Sequence, residues 1–185
     1  MVSQLRALSG ASSPPTKIRR HPLLHTIEGT VQVFTSPHRS FFTNVMVQAL
    51  RAAEQGLPVL IVQFLKGGIG QGPTQPTQMG QNLTWLRCDY PGCISGPEVP
   101  AEAEVALLDL WQHTQTAVEQ GKYGLVVLDE LSLALEFGLL TENEVLIFLK
   151  ERPPQIEVVL TGPQMPDSLI AIADQVTEFR RNYLL

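Results

Sequence analysis

The chain has few cysteines, no long apolar run and no excess of basic residues. Only Cys88 and Cys93 occur in its 185 residues, too few for a disulfide framework, and neither has His or Cys neighbours at zinc-ligand spacing. We interpret them as two reduced thiols, with a bridge or redox pair as the alternative. No run approaches the roughly 20 apolar residues of a membrane span. The formal net charge of −5 argues against general nucleic-acid binding, which favours a basic face.

Composition divides the chain into a short arm and one domain. Residues 1–27 form a basic arm that contains Ser and Pro and has no acidic residue. We interpret it as a solvated tail or an arm lying on the protein surface. The alternatives are an organelle transit peptide and a docking segment for an acidic partner. Residues 28–185 are expected to form a single α/β domain. Since no secretory segment is apparent, the expected location is the cytoplasm.

Strand-like apolar runs alternate with helical patterns after the arm. This alternation predicts a doubly wound, mostly parallel sheet with helices on both faces. The expected strands cover residues 31–35, 59–64, 83–88, 125–128, 156–161 and 175–180. The expected helices cover residues 42–55, 101–120, 131–137, 141–150 and 166–173. Residues 66–81 read as a long mobile loop. The apolar face of the second helix is expected to contain Val105, Leu108, Trp111 and Val118.

The stretch over residues 30–53 has the strand–loop–helix order in which a nucleotide-binding fold places its phosphate cradle. Such a cradle needs glycines, so that backbone N–H groups can turn inward, and a Lys–Thr pair for phosphate and metal. The loop over residues 36–42 contains no glycine, lysine or threonine. Pro37 in addition has no N–H to donate. The scaffold is therefore present without its cradle.

Asp129 and Glu130 follow a buried-type strand. Carboxylates at the carboxyl end of such a strand lie beside the phosphate loop, where one of them commonly holds Mg²⁺. The alternative is a strand-end turn whose acidic residues cap the following helix. Both interpretations remain open at this point.

The chain resembles the P-loop-type ATP:corrinoid adenosyltransferases, which act on cob(I)alamin or cob(I)yrinic acid a,c-diamide. The resemblance extends from Gly29 to about Arg180 and implies a fold like that of P-loop NTPases. It also implies ATP, Mg²⁺ and a corrinoid as the ligands of an active member, and a homodimer. The matching residues are Val33–Thr35, Arg51, Ala52, Gly56, Gln63, Phe64, Lys66, Gly67, Trp111, Val126–Leu131, Arg152, Pro153, Val158–Gly162, Pro166, Ala173, Asp174 and Val176–Glu178.

The family's phosphate loop reads Gly-x-Gly-Lys-Gly-Lys-Thr-Thr. In this chain the first lysine becomes Arg39, and only the last threonine survives, as Thr43. The three glycines become Ser36, His38 and Ser40. Each replacement adds a Cβ at a position that needs φ > 0, which costs of order 1–2 kcal/mol in that conformation. The degenerate nucleotide-binding positions are thus Ser36, His38, Arg39, Ser40 and Thr43.

Phe41 and Phe42 replace the family's second lysine and first loop threonine. Phenylalanine carries no charge and donates no hydrogen bond, so it replaces neither. The two rings either fill the vacated cavity or form an exposed apolar patch for a partner, with His38 and Arg39 as its polar rim. The family's aromatic Phe-x-Trp pair, expected near the corrin, is also missing from residues 91–96.

These departures predict a non-catalytic pseudoenzyme that acts as a binding, scaffold or regulatory module for a protein partner. No catalytic residue is assigned. One alternative is an active ATP:cob(I)alamin adenosyltransferase with a rebuilt loop, in which Arg39 and His38 bind the anion and Asp129 or Glu130 binds Mg²⁺. Another is a corrinoid or nucleotide sensor. Four further positions match the family and are candidate site residues, namely Arg51, Gln63, Lys66 and Arg152.

Overall fold

The structure is a computed structural model that describes residues 28–68 and 70–180. The arm predicted over residues 1–27 lies outside the described residues. In the part described, no helix is both long and apolar enough to cross a membrane.

The described strands form one seven-stranded sheet. The strands are β1 (Val31–Ser36), β2 (Val59–Gly67), β3 (Thr77–Met79), β4 (Leu83–Cys88), β5 (Leu125–Asp129), β6 (Glu157–Pro163) and β7 (Gln175–Glu178). Their order in the sheet is β3-β4-β2-β5-β6-β1-β7. Every neighbouring pair is parallel except β3 and β4, which are antiparallel. The carboxyl ends of the parallel strands therefore meet at one edge of the sheet.

Helices cover both faces of this sheet, which confirms the predicted α/β class. They are α1 (Thr43–Glu54), α2 (Ala101–Glu119), α3 (Leu131–Glu136), α4 (Glu142–Glu151) and α5 (Asp167–Ala171). Helix α1 packs on one face, and α2 to α5 contribute to the core on the other. The central strands β2 and β5 are buried on both sides, because each is a continuous apolar run.

Helix α1 follows directly from its sequence pattern. Val45, Met46, Ala49 and Ala53 are buried, and this spacing of three and four places them on one face of a helix. Gly56 follows the helix with φ 92°, a conformation that glycine adopts without the strain of a Cβ. The helix therefore begins at the phosphate-loop position and ends where the sequence predicts.

Two predictions about the fold are wrong. Strand β3 lies inside the segment predicted to be a long loop; its three residues, Thr77–Met79, are polar or exposed and carry no apolar alternation to reveal it. In α2, Val105 and Leu108 are exposed rather than buried. Trp111 sets the rotation of the helix by packing against Phe64 and Phe148. The buried stripe is instead Ala103, Leu107, Leu110, Trp111, Thr114, Ala117 and Val118.

Both cysteines are free thiols. Cys88 is buried and Cys93 is exposed, which agrees with two reduced cysteines and not with a bridge between them. Burial raises the pKa of the Cys88 thiol to about 11. The thiolate of Cys88 is therefore strongly disfavoured at neutral pH.

Helix α4 begins with a capping box, which gives a first test. The Thr141 hydroxyl accepts from the Glu144 N–H at 3.2 Å, and the Glu144 carboxylate accepts from the Thr141 N–H at 3.0 Å. Thr141→Ala should lower the free energy of unfolding by about 1 kcal/mol at pH 7, measured by urea denaturation. Thr141→Ser should retain the cap, and Thr116→Ala, at an exposed site on α2, should change little.

The effect of the cap should also depend on pH. Hydrogen bonds from Thr141 lower the pKa of Glu144 in the folded protein. The carboxylate's stabilisation is therefore complete above the unfolded-state pKa and is lost as pH falls through the lowered folded-state pKa. The difference between wild type and Thr141→Ala should shrink at about pH 3. An unchanged difference would contradict the role of Glu144.

Candidate functional site

The candidate site lies at the carboxyl edge of the parallel strands. A polar row crosses four neighbouring strands there, formed by Arg87 on β4, Gln63 on β2, Asp129 on β5 and Thr161 on β6. The Gln63 amide joins the row, because its Nε2 donates to Asp129 Oδ2 at 2.7 Å and its Oε1 accepts from Arg87 Nε at 2.9 Å. Trp85 Nε1 also donates to Gln63 Oε1 at 2.9 Å. The row fixes the orientation of the buried Asp129.

Asp129 is fully buried and has three hydrogen-bond donors. Besides Gln63, Lys66 Nζ lies 2.9 Å from Oδ2 and Thr161 Oγ1 lies 2.8 Å from Oδ1. Lys66 thus provides the counter-charge that a buried carboxylate needs. The carboxylate is satisfied by the protein itself.

Glu130 is buried and has an unusual backbone conformation. Its φ is 62°, a left-handed value that costs a residue with a Cβ about 1–2 kcal/mol. Its N–H donates to Thr161 Oγ1 at 3.1 Å, which helps to hold this conformation. Backbone strain of this kind is concentrated at functional sites.

Arg39 binds Glu130 through both carboxylate oxygens. Arg39 Nε lies 2.7 Å from Oε1 and Nη2 lies 2.9 Å from Oε2, the bidentate geometry that makes Arg–carboxylate pairs strong. The hydrogen bond with Glu130 raises the pKa of Arg39, against the opposing effect of burial. Nη1 also donates to the Ile94 carbonyl at 3.2 Å. Arg39 therefore ties its loop to both the sheet edge and the loop over residues 91–96.

The serine hydroxyls of the phosphate-loop position bind the loop's own backbone. Ser36 Oγ donates to the His38 carbonyl at 2.6 Å, and Ser40 Oγ donates to the same oxygen at 3.2 Å. His38 itself is exposed, and Thr43 is the exposed first residue of α1. Helix α1 begins without a side-chain hydrogen bond at its cap. The loop is closed on itself rather than opened toward a ligand.

The two phenylalanines have opposite environments. Phe42 is 3% exposed and packs against Phe179 at a ring-centroid distance of 5.7 Å. Phe179 in turn stacks on Phe34 at 6.2 Å. Phe41 is 52% exposed, and Lys66 Nζ lies 4.8 Å from its ring centroid. Phe42 therefore fills the interior, and Phe41 is presented at the surface.

Trp85 and Arg87 also belong to the site, and neither is among the candidate residues selected from the sequence. Arg87 also lies beside the Trp85 ring, 5.7 Å from its centroid. The signal that could have found them is the strand period. Residues 85 and 87 on β4 pair with residues 61 and 63 on β2, so they share the face of Gln63.

Two predicted site residues lie elsewhere. Arg51 is exposed in the last turn of α1. Arg152 lies at the opposite edge of the sheet, where it donates to the carbonyls of Gly29 at 3.0 Å, Ile156 at 3.1 Å and Leu149. It also lines a cavity of about 600 Å³ at that edge. The contacts of Arg152 thus support the backbone rather than the candidate site.

In this arrangement the two carboxylates of the site are engaged by the protein itself. Both carboxylates already bind cationic side chains. Over residues 28–68 and 70–180, no group of three or more His, Cys, Asp and Glu side chains could hold a metal ion. Every buried side-chain nitrogen or oxygen in these ranges has a hydrogen-bond partner. The buried polar groups of these ranges are therefore satisfied within the protein itself.

Comparison with known proteins identifies the family. Residues 27–182 match the profile of the ATP:corrinoid adenosyltransferase BtuR/CobO/CobP family. The chain belongs to this family. It is 29% identical over 163 residues to a corrinoid adenosyltransferase of Sinorhizobium sp., covering 82% of this chain and 72% of that protein. The predicted resemblance is confirmed.

Other relatives of this adenosyltransferase family member are covered less completely. A corrinoid adenosyltransferase of Pseudomonas aeruginosa is 35% identical over 138 residues, which cover 69% of this chain and 63% of that protein. An uncharacterized protein of Nostoc sp. is 39% identical over 138 residues, which cover 66% of this chain and 34% of the Nostoc protein. The chain thus spans less than two thirds of both of these relatives.

The opposite environments of the two phenylalanines generate a paired test. Phe42→Ala should lower the free energy of unfolding by about 3–5 kcal/mol, because it leaves a cavity beside Phe34 and Phe179. Phe41→Ala is the matched control and should change it by no more than about 0.5 kcal/mol. Urea denaturation of both variants measures the difference. Equal losses in the two variants would contradict the arrangement described.

The Arg39–Glu130 pair generates a second test at this site. Arg39→Ala should lower the free energy of unfolding by about 1–3 kcal/mol, because it leaves the buried Glu130 carboxylate without its donors. Partial exposure of Arg39 to solvent keeps the loss below that of a fully buried pair. Adding Glu130→Gln should recover part of the loss, so the double-mutant cycle should show coupling. Arg180→Ala removes an exposed ion pair with Glu178 and should change little. Additive single-variant effects would refute the coupling.

Proposed function

We propose that this member of the adenosyltransferase family does not transfer adenosyl groups and acts instead as a binding, scaffold or regulatory module. The observation that carries the proposal is the bidentate pair between Arg39 and Glu130. It places a cationic side chain on the carboxylate that would otherwise be available to a metal ion. Lys66 occupies the neighbouring Asp129 in the same way.

The energetics of the site support this proposal. A Mg²⁺ ion would have to displace Arg39 or Lys66 from a buried carboxylate, and the displaced cation would need a new partner. A triphosphate would approach a loop whose Ser36 and Ser40 hydroxyls already donate to the His38 carbonyl. Phe41 presents an apolar ring where the family pattern has a lysine. Neither the metal nor the phosphates gain enough new contacts to offset these losses.

The residues that this chain keeps from the family pattern also support the proposal. The retained residues Gln63, Lys66, Asp129 and Glu130 contact one another or a neighbouring member of the cluster, so their presence needs no bound nucleotide. Their contacts account for a stable fold without a reaction.

The proposal predicts weak ATP binding and no adenosyl transfer. Mg·ATP should bind no more tightly than about millimolar, equivalent to about 4 kcal/mol, by isothermal titration calorimetry. Incubation with Mg·ATP and chemically reduced cob(I)alamin should form no adenosylcobalamin, followed by its absorbance spectrum. Micromolar ATP binding together with product formation would overturn the proposal. Stabilisation by cobalamin alone in a thermal-shift assay would instead favour a corrinoid sensor.

A loop graft serves as the control for this experiment. Replacing residues 36–42 with the family's Gly-x-Gly-Lys-Gly-Lys-Thr sequence removes Arg39, Phe41 and the buried Phe42, and it restores glycines and the Lys–Thr pair. Because the loss of Phe42 destabilises the fold, the graft is first shown to be folded by its circular-dichroism spectrum and melting temperature. We expect the graft to bind Mg·ATP, because β1 and α1 around it are intact and Glu130 is released. It should still not adenosylate cobalamin, because the corrin-side aromatic pair is missing. A graft that folds but binds no Mg·ATP would show that the loop is not the main cause of the loss.

A further inference from the structure

A groove of about 310 Å³ lies beside the start of α1. Its exposed aromatic residues are Phe41 and Phe179, at 52% and 37% exposure. Exposed aromatic rings at the wall of a groove are characteristic of surfaces that bind a partner's side chain. The groove is lined by Ser40, Phe41, Phe42, Thr43, Asn44, Phe179 and Arg180.

Next to Phe41 on the wall of this groove, cationic side chains lie at the surface and their carboxylate partners lie beneath them. Arg39 and Lys66 keep 36% and 25% of their side-chain surface exposed, whereas their partners Glu130 and Asp129 are buried. His38, next in the loop, is exposed as well. Solvent at this edge therefore faces cations while the carboxylates lie beneath them. The charged groups that face outward at this edge are therefore cationic, although the whole chain has a net charge of −5.

Arg39 and Lys66 still have donors available. A guanidinium has five N–H groups. Arg39 uses three of these five N–H groups, two to bind Glu130 and one to bind the Ile94 carbonyl. Lys66 has three N–H groups and makes one close hydrogen bond, to Asp129. Arg180, which also lines the groove, pairs with Glu178 at the surface, where a competing carboxylate can replace Glu178 at little cost.

We propose that the groove binds an acidic segment of a partner protein, with an aromatic or aliphatic side chain of that segment packed against Phe41 and Phe179. Carboxylates flanking this anchor would bind the exposed donors of Lys66, Arg39 and His38. The proposal rests on the proposed function, since it names the partner class of the same loop. Charge complementarity selects an acidic partner, and the aromatic wall selects a peptide over a phosphate anion, because a triphosphate gains nothing from an apolar ring.

The test uses a fluorescein-labelled peptide of Asp and Glu residues around one central Phe-Leu pair, measured by fluorescence anisotropy with the full chain. Binding is expected, and raising NaCl from about 0.05 M to about 0.3 M should weaken it at least about fivefold. A peptide with Ser-Ser in place of Phe-Leu should bind at least about tenfold more weakly. A peptide with Gln in place of every acid should show no binding.

Protein variants locate the binding surface. Phe41→Ala should weaken binding about tenfold with an unchanged melting temperature, because Phe41 is outside the core. His38→Glu should also weaken binding, because it places a negative charge at an exposed position. The matched control is Val105→Ala, at an exposed apolar residue on α2, and it should bind as the wild type does.

Three outcomes would overturn the proposal. These are no binding of the acidic Phe-Leu peptide, wild-type affinity in Phe41→Ala, and tighter binding of tripolyphosphate that Phe41→Ala leaves unchanged. The last would assign the cations to a phosphate ligand. If the acidic peptide does not bind and the protein transfers no adenosyl group, only the peptide-binding proposal fails and the proposed function stands. Adenosyl transfer in the cob(I)alamin assay overturns that function whatever the peptide does.

Discussion

Two adjacent carboxylates at the carboxyl edge of a buried strand set the constraint on which the site depends. Asp129 and Glu130 are out of water, and an uncompensated charge there costs several kcal/mol. An enzyme of this fold can meet that demand with a bound metal ion. This chain meets it with Lys66 from the end of β2 and Arg39 from the loop after β1. The conformation of that loop therefore follows from the carboxylates rather than from a phosphate, and the folded protein has its counter-charge whether or not a ligand is present.

The position of Arg39 also determines where the phenylalanines lie. With Arg39 turned toward Glu130 and the serine hydroxyls bound to the His38 carbonyl, the chain enters α1 with consecutive rings on opposite sides. Phe42 completes the cluster with Phe34 and Phe179, and Phe41 remains in solvent next to Lys66. Each of the two interpretations offered from the sequence thus describes one of the rings. The same backbone geometry yields an interior contact that stabilises the fold and a surface ring available to a partner.

Periodicity and strand-end rules predict the fold and part of the site. The strand–helix alternation predicts six of the seven strands, and the strand-end rule places Asp129 and Glu130 at the carboxyl edge. Lys66, which is selected by the family resemblance, joins them there. Strand β3 escapes prediction because its three residues are polar or exposed and show no apolar alternation. The rotation of α2 about its axis could not be predicted, because Val105 and Leu108 are as apolar as the residues that are buried. Only the packing of Trp111 determines which face of the helix is turned to the core. The Arg39–Glu130 pair joins residues far apart in sequence, and no local pattern encodes it.

The residues this chain keeps from the family pattern differ in physical role from those it lacks. Asp129 accepts from Gln63 and Thr161 as well as from Lys66, so its loss would leave several buried donors unsatisfied, at about 1–3 kcal/mol each. Gly67 is equally constrained, since a Cβ there would lie 2.0 Å from the carbonyl oxygens of Tyr90 and Gly92. The glycine and lysine positions of the family's phosphate loop hold other residues here, and the Ser36, Ser40 and Arg39 side chains at these positions bind groups within the chain. A sheet edge can therefore keep its Asp–Glu pair for the stability of the fold alone, and in this fold that pair is weak evidence of catalysis unless the loop opposite it can also bind phosphate.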